Sequence, residues 1–200
     1  RPTAFRYYWV IRAVNKVLHP VYYIGVCLVS VSLTLYGKWK QIRTLHFGAK
    51  FLASLCFLAL ALEQGGLDTL YGKWILSALV LSLSGDLFLV SKARIYFLSG
   101  LVLFLLAHLA YVGAFVSLDI DFTSTLRSFL AVSLVTGAIA WWILPRAPKG
   151  MKIPVAAYFL AITAMMATAM SLSWSTGAWI YAMGGALFCA SDVAVARERF

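Results

Sequence analysis

The stretch that decides the fold is "LYGKWILSALVLSLSGDLFLV", residues 70–90, in which only Lys73 and Asp86 are charged. About 20 consecutive, mostly apolar residues are enough for a helix to cross a bilayer. Blocks of this kind recur along the chain, at roughly 20–36, 49–62, 70–90, 95–116, 126–144, 153–173 and 177–197. Lipid admits only helices or closed barrels, and these blocks are too long for barrel strands. The sequence therefore predicts an all-α fold, a polytopic transmembrane helix bundle with seven spans.

The composition supports a membrane protein and argues against a soluble one. The chain is 62% hydrophobic and 12% charged, whereas a soluble domain averages about 45–50% apolar and about 25% charged residues. Because the blocks occur throughout, a cleaved signal peptide does not explain them. The segment before Pro20 mixes aromatic residues with Arg6, Arg12 and Lys16. It predicts an interfacial amphipathic segment over residues 1–19, followed by a single transmembrane domain over residues 20–200.

The charge distribution predicts an orientation. The net charge of +10 would suggest nucleic acid in a soluble chain, but in a membrane chain it reflects the loops, and no nucleic-acid partner is expected. The positive-inside rule places the ends of spans 1, 3, 5 and 7 in the cytoplasm. The basic amino-terminal segment then lies outside, which is an exception to the rule. The basic residues at those ends are Lys38, Lys40, Arg43, Lys92, Arg94, Arg146, Lys149, Arg197 and Arg199. We expect an integral, multi-pass protein of a bacterial inner membrane or the endoplasmic reticulum.

Two carboxylates within the spans are the main candidates for chemistry. Asp86 lies four residues before the end of span 3, and Asp192 lies five before the end of span 7. Both are therefore predicted about 6–8 Å inside the same membrane boundary, in a layer shared with Lys50 and Tyr158. Intramembrane carboxylates are costly and usually face a bundle interior or a cavity. Small residues beside them, such as Gly85 and a stripe on span 7, predict close helix packing that brings the two carboxylates together.

Two adjacent carboxylates in a partly dry pocket tend to titrate apart, which supplies a general acid and a general base. The same pair suits a proton-coupled transporter. The alternative for each aspartate alone is a helix cap or a salt bridge. The histidines, His19, His46 and His108, occupy different depths without ligand spacing, so neither a metal nor another cofactor is expected.

Several quoted motifs make the sequence similar to the YhhN-like membrane proteins, a family that includes the lysoplasmalogenases. The matching stretches are "SGDLFLV" from Ser84, "FLSGLVLFLLAHLAYVGAF" from Phe97, "YFLAITAMM" from Tyr158 and "GGALFCASDVAVARERF" from Gly184. The family usually opens its second helix with Lys-Pro, whereas here Phe51 follows Lys50. The family also usually has an eighth helix after the Ser-Asp run.

The resemblance implies hydrolysis of the vinyl-ether bond of a lysoplasmalogen to a fatty aldehyde and a glycerophospho-alcohol. It makes a lysophospholipid in the membrane the expected substrate. Asp86 and Asp192 would be the catalytic acid/base pair, without an assignment of which is which. The supporting or substrate-binding candidates are Lys50, Ser84, His108, Tyr158 and Ser191. Protonation of an enol ether and addition of water require an acid and a base but no metal.

Three other functions stay open at this point. A proton-coupled or lipid-handling transporter would use the same two aspartates. A metal-dependent lipid amidase would need converging histidines, which the sequence does not show. A structural membrane protein is the remaining alternative.

Overall fold

The computed structural model describes the backbone of residues 3–91 and 93–199, and the side chains of residues 21–91 and 93–199. Seven α-helices fill these ranges, and no strand occurs in the described part of the chain. Their bounds are α1 Thr3–Trp39, α2 Arg43–Glu63, α3 Leu70–Leu89, α4 Arg94–Val116, α5 Phe122–Ile143, α6 Lys152–Thr176 and α7 Ile180–Arg199. All seven are long and apolar enough to cross a membrane. The predicted all-α, multi-pass transmembrane fold is confirmed.

The predicted spans agree with the helices; after α1, which includes the segment before the first predicted span, the largest difference is at α2. This helix begins at Arg43, six residues before the predicted span at 49. Arg43, Thr44 and His46 are polar, but none of them breaks a helix, so α2 extends beyond its apolar block. The backbone of α1 is helical from Thr3 onward. The side chains of residues 1–20 lie outside the described part, so the amphipathic segment and the single-domain division stay predictions.

The chain forms two compact units, of which the first comprises residues 1–64. In this unit α1 packs on α2 through small buried side chains, among them Cys27, Ala49, Ala53 and Cys56. A Cβ at Gly37 would lie 2.7 Å from the backbone nitrogen of His46. This glycine therefore permits the close approach of the two helices near their connection.

The second unit, residues 65–200, contains the other five helices. Helix α6 is its centre, because it contacts α4, α5 and α7 and is buried over most of its length. Helix α3 packs on α4. The core around α6 consists of Phe115, Tyr158, Ile162, Met165, Ala169 and Leu172.

Local sequence signals explain the helix ends in this unit. The Thr69 side chain accepts a hydrogen bond from the Gly72 backbone N–H and caps α3. The Asp121 carboxylate caps α5 in the same way, through the Ser124 N–H. Gly177 directly follows the last residue of α6 and terminates the helix. Its φ of 73° lies in the left-handed region that glycine adopts without strain.

Glycines set the spacing between α3 and α4. A Cβ at Gly85 would lie 2.7 Å from the Phe104 ring, and one at Gly100 would lie 3.2 Å from the Gly85 carbonyl oxygen. A larger residue at either position would push the two helices apart. Since Asp86 follows Gly85 directly, this contact fixes the backbone that carries the first candidate carboxylate.

Candidate functional site

Four of the predicted site residues lie together in the second unit, on four different helices. They are Asp86 on α3, His108 on α4, Tyr158 on α6 and Asp192 on α7, and we call them the polar cluster. The Tyr158 hydroxyl interacts with the Asp192 carboxylate, and Asp86 is near enough to act on Tyr158 electrostatically. The structure thus brings both predicted carboxylates to one phenol.

One contact in the cluster joins a histidine to a carboxylate. The Nε2 atom of His108 lies 3.2 Å from Oδ2 of Asp192. The His108 side chain is fully buried, and the Asp192 side chain is 12% exposed. The rings of Tyr158 and Phe188 flank the imidazole at centroid distances of 5.2 and 4.8 Å. An apolar and aromatic shell therefore surrounds two groups that can hold a proton.

The second ring nitrogen of His108 fixes its tautomer. Its Nδ1 lies 2.6 Å from the Phe104 carbonyl oxygen, which can only accept, so Nδ1 carries a proton. In a neutral imidazole Nε2 would then present a lone pair to Asp192. Neither Nε2 nor Oδ2 has an aligned hydrogen bond among the described residues. The two atoms nevertheless lie close enough for a proton to pass between them.

The predicted packing of α3 on α7 is not what the small residues support. Among the described residues, no Cα atoms of α3 and α7 lie within 8 Å of each other. Gly85 of α3 instead packs against Phe104 of α4, and Gly185 of α7 packs against Met166 of α6. The two carboxylates therefore both lie in the surroundings of Tyr158 without direct packing of the helices that carry them.

The other predicted supporting residues each have surroundings of their own. The Ser84 hydroxyl donates to the Val80 carbonyl of its own helix at 2.8 Å. Ser191 is exposed on α7. Lys50 lies on α2 in the first unit, where it is partly buried and has an interaction partner. The roles suggested for these three residues stay predictions.

One further candidate is a residue that was placed among the basic residues at the span ends and was given no site role from the sequence. Arg199, at the end of α7, donates from Nη2 to the carbonyl oxygens of Leu89 and Ser91, both at 3.1 Å. Its guanidinium lies 4.9 Å from the centroid of the Phe97 ring. Arg199 lies seven residues after Asp192, hence on the same helix face. That spacing was the signal available in the sequence.

A groove of the second unit does not include the polar cluster. It measures 1060 Å³ and lies along α5, α6 and α7, with Arg127, Met170, Cys189 and Val193 among its lining residues. None of the four members of the polar cluster lines it. Among the described residues, no three His, Cys, Asp or Glu side chains are grouped so as to hold a metal ion.

Known proteins resemble this chain in sequence. The model of the YhhN family matches residues 45–200, a range that contains the whole polar cluster. Two proteins named lysoplasmalogenase, from Mycobacterium bovis (strain ATCC BAA-935 / AF2122/97) and Mycobacterium tuberculosis (strain CDC 1551 / Oshkosh), are 32% identical over 181 residues. The alignments cover 88% of this chain and 69% of each relative. No solved structure matches the chain.

Proposed function

We propose, since the chain belongs to the YhhN family, that it is a membrane hydrolase that cleaves the vinyl-ether bond of lysoplasmalogens. The products are a fatty aldehyde and glycerophosphoethanolamine or glycerophosphocholine. The observation that carries the proposal is the pairing of His108 Nε2 with Asp192 Oδ2 at 3.2 Å, beside a second carboxylate, inside membrane-spanning helices. The resemblance to the two lysoplasmalogenases supports the substrate class.

The reaction needs one proton donor and one proton acceptor at the start. Protonation of the β-carbon of an enol ether uses the electrons of the double bond and leaves an oxocarbenium ion at the carbon bound to oxygen. We assign the donor role to Asp192, because His108 Nε2 lies 3.2 Å from its Oδ2 and can exchange a proton with it. Asp86 then is the carboxylate that stabilises the cation and accepts a proton from water as it adds.

The resulting hemiacetal collapses without any further reagent. Asp86 returns its proton to the departing glycerol oxygen as the carbon–oxygen bond breaks. The hemiacetal hydroxyl gives its proton back to the Asp192–His108 pair, and the aldehyde forms. One water molecule is consumed, and both carboxyl groups end in their starting states. Tyr158, which interacts with Asp192, orients that carboxylate.

The direct test is aldehyde release by the purified protein from three single-chain lipids. The lipids share one headgroup and carry a vinyl ether, a saturated ether or an ester at the same position. We expect aldehyde from the vinyl ether only, because only that bond becomes an oxocarbenium ion on protonation. Aldehyde from none of the lipids, together with acidification of protein-containing liposomes upon addition of a solute, would replace this proposal with the transporter.

A further inference from the structure

We infer that Arg199 is the binding residue for the phosphate of a single-chain phospholipid, beside the ends of the two helices that carry Asp86 and Asp192. The inference deepens the proposed function, on which the placement of the substrate rests. It starts from the position of the Arg199 guanidinium between the ends of two helices that carry aspartates. The hydrogen bonds to Leu89 and Ser91 hold it against the end of α3, although its own backbone belongs to α7.

The distance from the aspartates fits the chemistry of a glycerophospholipid. Leu89 lies three residues after Asp86, about 4.5 Å along the axis of α3, and Ser91 lies about 3 Å beyond Leu89. The guanidinium that contacts both carbonyls is therefore roughly 5–8 Å beyond the Asp86 level. In the lipid, six bonds separate the vinyl carbon attached to oxygen from the phosphorus atom. Six bonds span about 7 Å when extended, the length of two extended residues.

The guanidinium has donors left for an anion. Arginine carries five N–H groups, and both recorded hydrogen bonds use Nη2. Three N–H groups on Nη1 and Nε lie outside those two bonds. The Phe97 ring, 4.9 Å away, holds the guanidinium plane and shields one side of it from water. A guanidinium held in this way is suited to bidentate phosphate recognition.

The surrounding charge is also favourable for a phosphate. This end of the second unit, where α3, α5 and α7 end, is rich in cations. They are Arg94, Arg146, Lys149, Lys152, Arg197 and Arg199, accompanied there by Glu198. Arg199 is the partly buried residue that points back toward α3, whereas Arg197 on the neighbouring turn is exposed. Arg197 is therefore a matched control with the same charge on the same helix.

The test measures binding of two lipids that the proposed chemistry does not cleave. One is a saturated 1-O-hexadecyl lysophospholipid, and the other is 1-O-hexadecylglycerol, which lacks the phosphate. We expect Arg199→Gln to weaken binding of the phospholipid about 10-fold or more, the loss of a charge-assisted contact. Binding of the phosphate-free lipid should change less than about 2-fold on the same scale. Arg197→Gln should leave both affinities unchanged.

A second variant separates recognition from folding. Arg199→Lys keeps the charge but lacks the planar fork, so it should retain an intermediate preference for the phospholipid even if Arg199→Gln does not fold. Equal weakening of both lipids by Arg199→Lys would show that Arg199 only ties α7 to α3, and would overturn the inference. Equal affinity of the unmodified protein for the two lipids would overturn it as well. Phosphate-dependent binding without aldehyde release would leave this inference standing and remove the proposed function.

Discussion

Two regions of the second unit have polar side chains within membrane-spanning helices, and they differ in whether those side chains have hydrogen-bond partners. Between α5 and α6, four hydroxyl groups, which we call the hydroxyl interface, satisfy one another: Thr136 meets Thr163 at 2.7 Å, and Thr125 donates to Ser171 at 2.9 Å. In the polar cluster, His108 and Asp192 face each other at 3.2 Å without an aligned hydrogen bond among the described residues.

The difference indicates how polar residues that only join helices can be distinguished from those that take part in a reaction. A satisfied hydroxyl pair joins two helices and has no proton to give at neutral pH. An imperfectly paired, buried imidazole and carboxylate cost stability, and proteins keep such costs mainly where a reaction requires them. The predictions below test this division, from the largest expected effect to the smallest.

After loss of the Asp192 carboxylate itself, the largest effect is expected at His108. The substitution His108→Asn keeps a donor for the Phe104 carbonyl but removes Nε2 from Asp192. We expect aldehyde release to fall about 100-fold, the lower range for loss of general acid catalysis. The measurement is the pH profile of kcat, whose dependence on the protonated donor should change in the variant. His46→Asn is the matched control, because His46 Nδ1 also contacts a backbone carbonyl, that of Thr34, at 3.0 Å.

The next effect concerns Tyr158. Tyr158→Phe removes the hydroxyl that interacts with Asp192 but retains the ring beside His108. We expect kcat to fall about 10-fold, the loss of one hydrogen bond, with KM nearly unchanged. A variant with full kcat would contradict the orienting role of the phenol.

Features of the site that depend on composition and sequence spacing could be predicted, whereas those that depend on tertiary packing could not. The apolar blocks predicted the seven spans, because burial in lipid depends on composition alone. The depths of Asp86, Tyr158 and Asp192 in the membrane stay predictions from their distance to the span ends. The pairing of His108 with Asp192 did not follow from the sequence, since it depends on how α4 and α7 are rotated about their axes. The contact of Arg199 with the end of α3 likewise depends on tertiary packing.

A substitution in the hydroxyl interface should lower stability and leave activity unchanged, the opposite of a substitution in the polar cluster. Thr136→Val removes a hydroxyl but leaves Thr163 bonded to the Phe159 carbonyl of its own helix. We expect about 0.6 kcal/mol of destabilisation, the average for an interhelical hydrogen bond in a membrane protein. Aldehyde release should stay at the level of the unmodified protein. A large loss of activity without a change in melting temperature would contradict the division between the two regions.

The smallest change in stability is expected for substitution of Asp121, the exposed N-cap residue of α5. The hydrogen bond from the Ser124 backbone N–H holds the pKa of Asp121 below its usual value. The carboxylate therefore stabilises the folded state above the unfolded pKa of about 3.9, and this contribution is lost as pH falls through the lower, folded pKa. Asp121→Ala should lower the melting temperature slightly at neutral pH, with the difference vanishing in acid. Asp121→Asn, which still accepts the hydrogen bond, is the control.

The measurement that tests the central claim most directly compares Asp192→Asn with Thr136→Val for both aldehyde release and melting temperature. Because Asn can donate to Nε2 of His108, Asp192→Asn should abolish release while the melting temperature stays equal or rises. Thr136→Val should keep release and lower the melting temperature. Full aldehyde release by folded Asp192→Asn protein would contradict the account, because the carboxylate assigned as the proton donor would then be dispensable.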